Sequence, residues 1–397
     1  MSSPPAPILG SQKLGVGARF IAPSALIRSV FVWLPRIGAG GPLLALLLLL
    51  LAPVSAKPAA PTPPPFLAGG DLSFLAAEEK GGAVYKENGR AEDALQIVKA
   101  HGWNVVRLRV WVNPDGQGMN VNSLPYTLTL AKRVKAAGLR ILLDLHYSDT
   151  WADPGHQAKP AAWKDLPFEA LTAQVRDYSR DTVAAFRKAG AMPDIVQVGN
   201  ETTNGMLWPD GKVEEPDGWT KFGALFKAGV EGVREGAKPG RAPSIMLHIA
   251  NGGDTGLVKW FFSSLDAKKQ NIEFDVIGLS YYPDGKDTLD GLKTSLAYLA
   301  DTYKKPIVVV ETGFPRTGTP GADQPVHLKY GRTPDGQKQF LTDLAAAVKA
   351  TPGGLGHGVV YWEPDWIGVP GLPHYGDANA LFDDKFNALP GLGAIHL

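Results

Sequence analysis

Two glutamates in this chain stand directly after apolar runs: Glu201 closes "DIVQVGNE" and Glu311 closes "PIVVVE". A carboxylate at the end of an apolar strand is costly to desolvate unless something uses it. Two carboxylates facing each other across a cleft are the minimum set for hydrolysing a glycosidic bond. One protonates the leaving oxygen and then activates water; the other attacks the anomeric carbon or positions the water. Either glutamate alone reads as a solvated loop residue or a charge at a helix N-terminus. The pair, with Asn200 before one and Thr312-Gly313 after the other, reads as chemistry.

The elements that must position this pair are legible from Phe66 onward. Strand-like runs ("FLAGGDLS", "WNVVRLRVWV", "RILLDLHY", "DIVQVGNE", "SIMLHIA", "FDVIGLSYYP", "PIVVVET", "GVVYWEP") alternate with helical patterns such as "AEDALQIVKAHG" and "FEALTAQVRDYSRDTVAAFRKAG". Several helical patterns end on glycine, at Gly102, Gly138 and Gly190, where a helix C-cap is expected. Eight β-then-α units predict a single α/β domain, a (β/α)₈ barrel, over residues 66–397. A doubly wound open sheet is the alternative, but "GGDLSF" after the first strand is not a phosphate-binding loop. Active sites of such barrels lie at the C-terminal ends of the strands. Those ends carry Arg107, Arg109 and Trp111 on the second strand, and Asp144, His146 and "YSDTWADPG" on the third. The fourth carries Asn200-Glu201, the fifth His248 and Asn251, the sixth Ser280 and Tyr282. The seventh carries Glu311 and the eighth Trp362-Glu363.

Strands four and seven lie on roughly opposite sides of an eight-stranded barrel, so inward side chains there can approach to about 5 Å, the separation of a retaining pair. Arg107 or Arg109 is expected to hold one carboxylate ionised, with Tyr282 donating a hydrogen bond. The like charge then pushes the other pKa up, as a general acid requires. The two arginines alternate onto one face; if that face is the barrel interior, they need carboxylate partners. His146 reads equally as a core histidine and as a sugar-binding one. Asp144, His146, Asp149, Asp153 and His156 also suit a hydrolytic metal. However, Asp149 and Asp153 sit among Trp151 and Pro154, which suits sugar contact better, and no His-x-His or HxxxH pair is present. A non-catalytic carbohydrate-binding barrel is the third class, with the paired glutamates as its obstacle.

Bulk properties exclude other classes. The 397 residues carry a net charge of +1 with no basic run, so nothing favours nucleic acid. Cysteine is absent, which removes disulfides, thiolate metal sites and cysteine nucleophiles. The leader has basic residues (Lys13, Arg19, Arg28, Arg36), then the leucine-rich core of "PLLALLLLLLAPVSA", then "VSA". It reads as a signal peptide over residues 1–56, cleaved after Ala56, with a retained anchor as runner-up. Residues 57–65, "KPAAPTPPP", read as a stiff extended linker. The expected product is secreted or periplasmic, without stable membrane association, and monomeric.

With these residues in place, the chain resembles the clan A glycoside hydrolases, and within them family 53, the arabinogalactan endo-β-1,4-galactanases. The similarity runs from about Phe66 to the C-terminus. It is carried by "RLRVWVNP" (Arg107–Pro114), "LDLHYSDTWADPG" (Leu143–Gly155), "QVGNET" (Gln197–Thr202), "DVIGLSYYP" (Asp275–Pro283), "VVETGFP" (Val309–Pro315), "YWEP" (Tyr361–Pro364) and "ALFDDKFNALP" (Ala380–Pro390). The resemblance implies a (β/α)₈ barrel and retaining, endo-acting hydrolysis of β-1,4-galactan, a pectin side chain. It implies Glu201 as acid/base, Glu311 as nucleophile, Asn200 on the sugar 2-hydroxyl and Trp362 as floor of the sugar site. Arg107, Arg109, His146, Asp149, Trp151, Asp153 and Tyr282 complete the expected substrate site. Tyr282 is chosen over Tyr281 because it shares a strand face with Ser280. This chemistry needs no cofactor. Bacterial members can carry a structural calcium after strand seven; Arg316–Gly331 offers only Asp323 and His327 as evident ligands, so the ion is left open and not predicted. The sequence departs from the family after "YYP", where it continues "DGKD", so part of the sugar cleft is expected to differ.

Overall fold

The computed structural model describes residues 66–267, 270–284, 287–319, 325–373 and 378–396. The leader, its cleavage site and the proline-rich linker lie outside the described residues, as does Asp323. From Phe66 on, strands and helices alternate: β1 (Leu67–Asp71), α1 (Leu75–Lys80), α2 (Ala94–Ala100), β2 (Val105–Val110), α3 (Leu124–Ala136), β3 (Arg140–Leu145), α4 (Phe168–Lys188) and β4 (Ile195–Val198). There follow α5 (Gly218–Gly236), β5 (Ser244–Ile249), α6 (Thr255–Ala267), β6 (Val276–Tyr281), α7 (Leu289–Tyr303), β7 (Ile307–Thr312), α8 (Pro325–Tyr330), α9 (Pro334–Lys349) and β8 (Gly356–Tyr361). Two short antiparallel ribbons, Lys86–Glu87 with Arg90–Ala91 and Gly205–Met206 with Gly211–Lys212, decorate the loops.

The eight strands pair in parallel and in sequence order, and β1 closes onto β8 through Leu67↔Gly358 to Gly70↔Tyr361. The predicted barrel is therefore the observed one. The pairing of β1 with β2 depends on a small residue: a Cβ on Gly69 would lie 2.0 Å from the Val105 carbonyl oxygen. Glycine alone permits that approach. Gly102, Gly138 and Gly190 follow their helices with φ of +87°, +77° and +69°, the left-handed conformation expected of C-terminal caps. Asp93, Thr288 and Thr333 cap α2, α7 and α9 by accepting from Leu95, Gly291 and Gly336 N–H groups.

Because strand side chains alternate, each strand feeds two layers. Val106, Leu108, Val110, Leu143, Leu145, Val196, Val198, Leu247, Leu279 and Val309 face the helices in the outer core. Leu67, Val105, Leu142, Ile195, Met246, Val276, Val308, Val310 and Val360 fill the lower lumen. Continuing each inward row toward the C-terminal end leads from apolar to polar side chains: Leu67 to Asp71, Val105 to Arg107 and Arg109, Leu142 to Asp144 and His146. Likewise Ile195 leads to Gln197, Met246 to His248, and Val276 to Ser280 and Tyr282. The polar floor of the site is thus the top of the lumen core.

Candidate active site

Strand β7 departs from this alternation. Ile277↔Ile307 through Leu279↔Val309 pair in register with β6, and then Ser280 pairs with Glu311, skipping Val310. Val308 and Val310 face the lumen and Val309 the helices, so strict alternation would send Glu311 outward. The irregularity instead brings Glu311 inside, which is the re-aiming that strand bulges near active sites accomplish. Glu201 reaches the lumen differently. Strand β4 ends at Val198, Gly199 turns at φ +82°, and Glu201 itself adopts a left-handed conformation (φ 46°, ψ 51°). A non-glycine residue held there carries strain that the surroundings must sustain.

Arg107 is the hub. It is fully buried, and its Nη1 lies 2.6 Å from Glu311 Oε1 and 3.1 Å from Asp71 Oδ2. Its Nη2 donates to Asp144 Oδ2 at 2.7 Å, to Asn200 Oδ1 at 2.8 Å and to Gln197 Oε1 at 3.3 Å. Burial disfavours its charge, but Glu311, Asp144 and Asp71 more than offset this, and the guanidinium stays protonated. Asp144, which burial alone would raise, is held below the ordinary carboxylate value by His146 and Arg107. Arg109 pairs with Glu363 and Asp71 and donates to Asn122 Oδ1 at 3.0 Å. Its guanidinium carbon lies 4.3 Å from the Phe74 ring centre and 4.5 Å from that of Trp151. Both arginines therefore occupy the interior with the carboxylate partners such a position requires.

The two glutamates sit in unlike surroundings. Glu311 is buried against Arg107, and the Tyr282 hydroxyl points at its Oε2 from 3.4 Å. Burial raises Glu311 above the ordinary carboxylate value, and the Arg107 charge opposes that rise. Glu201 keeps an edge open to the cleft, and its only side-chain hydrogen bond among the described residues comes from the neutral Ser280 hydroxyl, at 2.6 Å. Burial first, and then the charge of Glu311, push Glu201 up to about 8. The cationic partner belongs to Glu311, so the proton of the pair resides on Glu201.

Arg107, Arg109, His146, Trp151, Asp153, Asn200, Glu201, Tyr282, Glu311 and Trp362 line one cavity of about 210 Å³ at the C-terminal mouth of the barrel. Asn200 is fixed by donating to the Ala152 carbonyl at 2.7 Å. The Trp151 and Trp362 rings lie 6.1 Å apart, and Trp362 abuts Trp366 at 5.7 Å. His146 resolves between its two readings as both: it lines the cavity, yet the protein uses both ring nitrogens. Nε2 faces Asp144 Oδ2 at 2.9 Å and Nδ1 accepts from Ala152 N–H at 3.2 Å, so it pins the loop bearing Trp151. Asp149 stands apart from the cavity. Its carboxylate accepts from the Asn113 and Ala161 N–H groups at 2.9 and 2.8 Å, stapling two loops. Asp153 pairs with His156 and Asp144 with His146, and among the described residues no group of three or more His, Asp or Glu side chains is arranged so that it could hold a metal ion. His327, the described member of the calcium pair, accepts at Nδ1 from Arg332 Nε at 3.0 Å.

Asp71 and Gln197 escaped the sequence reading, which placed His248 and Ser280 at strand ends but gave them no part in the site. Their signal was available: each continues the inward row of its strand at the C-terminal end. A larger cavity of about 660 Å³ opens at the opposite end, around Leu67, Val105, Ile195 and Val308. Its acids are occupied: Asp194 binds Lys135 at 2.6 Å and the Ile141 N–H at 2.9 Å, and Asp275 binds the Ile245 N–H at 2.8 Å. These bonds tie neighbouring strands together at the N-terminal end of the barrel, away from the strand ends where such barrels place their chemistry.

Known proteins place the chain in one family. The family model for glycosyl hydrolase family 53 matches residues 67–395. The chain is 42% identical over 307 residues to a probable arabinogalactan endo-β-1,4-galactanase A of Neosartorya fischeri, covering 75% of this chain and 84% of that one. It is 38% identical over 332 residues to an arabinogalactan endo-β-1,4-galactanase of Thermothelomyces thermophilus, covering 82% and 97%. Among solved structures, a fungal β-1,4-galactanase superposes with a TM-score of 0.75 at 35% identity, covering 83% of this chain and 98% of that one. The family 53 catalytic domain of Ignisphaera aggregans superposes at 0.77 with 33% identity, covering 85% and 98%. A xylanase of Thermoanaerobacterium saccharolyticum, at 15% identity and a TM-score of 0.52, shares the fold alone. The barrel, the strand-end glutamates and these matches converge: the chain is a glycoside hydrolase and belongs to glycosyl hydrolase family 53.

Proposed function

We propose that this protein is a secreted or periplasmic, endo-acting β-1,4-galactanase that works by retaining double displacement. The observation that carries the mechanism is the asymmetry of the pair, with Glu311 on Arg107 at 2.6 Å and Glu201 raised to about 8 against Ser280. In the first step the ionised Glu311 attacks the anomeric carbon while Glu201 gives its proton to the departing glycosidic oxygen, forming a glycosyl-enzyme. In the second, Glu201 takes a proton from water, the oxygen of which attacks the same carbon and releases Glu311. Asn200 holds the sugar 2-hydroxyl, Tyr282 steadies Glu311, and Trp362 and Trp151 offer aromatic faces to the ring. The substrate class is supported by the names of the relatives at 42% and 38% identity.

Purified protein assayed on β-1,4-galactan, carboxymethylcellulose, mannan and xylan, with product sizing, tests this directly. Short galacto-oligosaccharides from galactan alone are expected. Turnover of cellulose or mannan with none of galactan would reassign the substrate while sparing the fold. For the mechanism, Glu311→Ala should lose many orders of magnitude in rate, with azide restoring turnover as a product of inverted configuration. Near-native polymer rates in both Glu311→Ala and Glu201→Ala would refute the assignment. The leader predicts that mature protein in a culture medium begins near Lys57, which N-terminal sequencing reads.

A further inference from the structure

The left-handed turn that delivers Glu201 is closed by a ring of hydrogen bonds. The Glu201 backbone N–H donates to His248 Nδ1 at 3.2 Å. His248 Nε2 lies 2.9 Å from Ser280 Oγ, and the Ser280 hydroxyl donates to Glu201 Oε1 at 2.6 Å. The chain of donors thus starts at the backbone of Glu201 and returns to its own carboxyl.

The direction of each bond follows from its neighbours. His248 is fully buried, and burial together with Arg107 holds its imidazole neutral. One ring nitrogen therefore donates and the other accepts. Asn200 Oδ1 also lies 3.1 Å from Nδ1, but it already accepts from Arg107 at 2.8 Å and from Gln197 at 3.0 Å. The Glu201 N–H has no other acceptor among the described residues. Nδ1 is thus the acceptor, Nε2 carries the hydrogen and donates to Ser280, and the serine hydroxyl is left to donate to the carboxyl. Both His248 and Ser280 are almost wholly buried, so water does not compete for these bonds. The register at the β6–β7 irregularity sets Ser280 opposite Glu311, so one strand position faces both carboxylates.

We propose that Ser280, oriented by His248, is a positioning residue for the acid/base chemistry of Glu201: it commits Oε1 to accepting a hydrogen bond and so leaves Oε2 to carry the proton that is transferred to the leaving oxygen. Oε2 has no hydrogen-bond partner among the described residues. The serine bond survives both protonation states, since Oε1 accepts as a carboxylate oxygen and, more weakly, as the carbonyl oxygen of the acid. It favours the ionised state and so holds the pKa of Glu201 below what burial and Glu311 would otherwise set. The other charged and titratable groups facing Glu201 are Glu311 on β7, Arg107 on β2, Asp153 on the loop after β3 and Tyr282 after β6.

This inference rests on the acid/base assignment of Glu201 proposed above. The test compares kcat/KM on galactan with kcat/KM on a 2,4-dinitrophenyl β-galactobioside, the leaving group of which needs no proton. Ser280→Ala should lose about 10- to 100-fold on galactan, the scale of general acid catalysis. It should stay within about twofold on the activated substrate, and the basic limb of its pH profile on galactan should move to higher pH. Ser280→Cys, close to the native volume but a weak donor, should behave as Ser280→Ala does, so the reading does not hang on one variant folding. Equal losses on both substrates with an unmoved basic limb, or a near-native Ser280→Cys, overturn the proposal. Glu201→Gln is measured on the same pair. If it shows no leaving-group dependence, the acid/base assignment fails and the proposal fails with it. If it shows that dependence and the Ser280 variants do not, only the role of Ser280 is lost.

Discussion

Glu201 and Glu311 have the same side chain and, in the mechanism proposed above, opposite duties, and the difference lies in what touches them. Arg107 contacts Glu311 at 2.6 Å, while Glu201 meets a serine hydroxyl. The acid must hold its proton for the first step, so activity is lost as pH rises through its pKa. With Glu201 raised to about 8, the basic limb of the kcat/KM profile is expected near pH 8 rather than near an ordinary carboxylate value. A pH–rate series on galactan reads it. Arg107 in turn depends on Asp71, a fully buried carboxylate at the end of β1 that also faces Arg109. Asp71→Ala leaves two buried guanidinium groups short of a counter-charge, which is expected to cost about 3–5 kcal/mol of stability. Equilibrium denaturation measures that loss.

At the scale of elements, the site depends on two departures from regular strand geometry. One is the skipped Val310, which turns Glu311 inward. The other is the turn after β4, where Gly199 has φ +82° and a Cβ would lie 2.6 Å from Thr202 Cγ2. Gly199→Ala combines a disfavoured φ with that clash, so it should destabilise by about 1–3 kcal/mol and lower kcat by displacing Glu201. Thermal melts and galactan kinetics check the two effects separately. The sequence announced both glutamates through the apolar runs before them, but simple alternation puts Glu311 on the same face as Val309. Only the register against β6 shows which way it points. The inward rows ending at Asp71, Gln197, His248 and Ser280 were readable by period alone. Their partners were not, because each bond joins different strands, as Arg107 on β2 does with Asp144, Asn200 and Glu311.

At the scale of the whole molecule, buried carboxyls govern how stability depends on pH. Burial pushes up Glu78, Glu363 and Asp365, which crowd one another beside β1 and β8, and raises Asp287, which accepts from the Tyr282 N–H, to about 7. Groups with raised folded-state pKa values hold protons that the unfolded chain has already released. Stability is therefore full below about pH 4, where unfolded carboxyls are protonated, as far as these groups decide it, and falls as pH rises toward 7–8. Asp144 acts in the opposite sense: its lowered pKa contributes stability above the unfolded value that is lost as pH falls. The melting temperature is thus expected to peak in mildly acidic solution and decline toward pH 8. Glu78→Gln, which keeps an acceptor for the Tyr85 hydroxyl, should flatten that decline. Calorimetry across pH 4–9 tests both.

The fold class and the two glutamates belonged to the sequence alone. Hydrophobic period and glycine punctuation are local, and eight repeats of β-then-α leave few ways to bury the apolar faces. The described residues contain no helix long and apolar enough to cross a membrane. Tertiary structure alone decided which glutamate keeps the proton, that Asp149 staples loops instead of lining the cavity, and that His146 serves the loop of Trp151 as well as the cavity. Protonation depends on charges brought within a few ångströms by chain closure, and those distances have no counterpart in the linear order of residues.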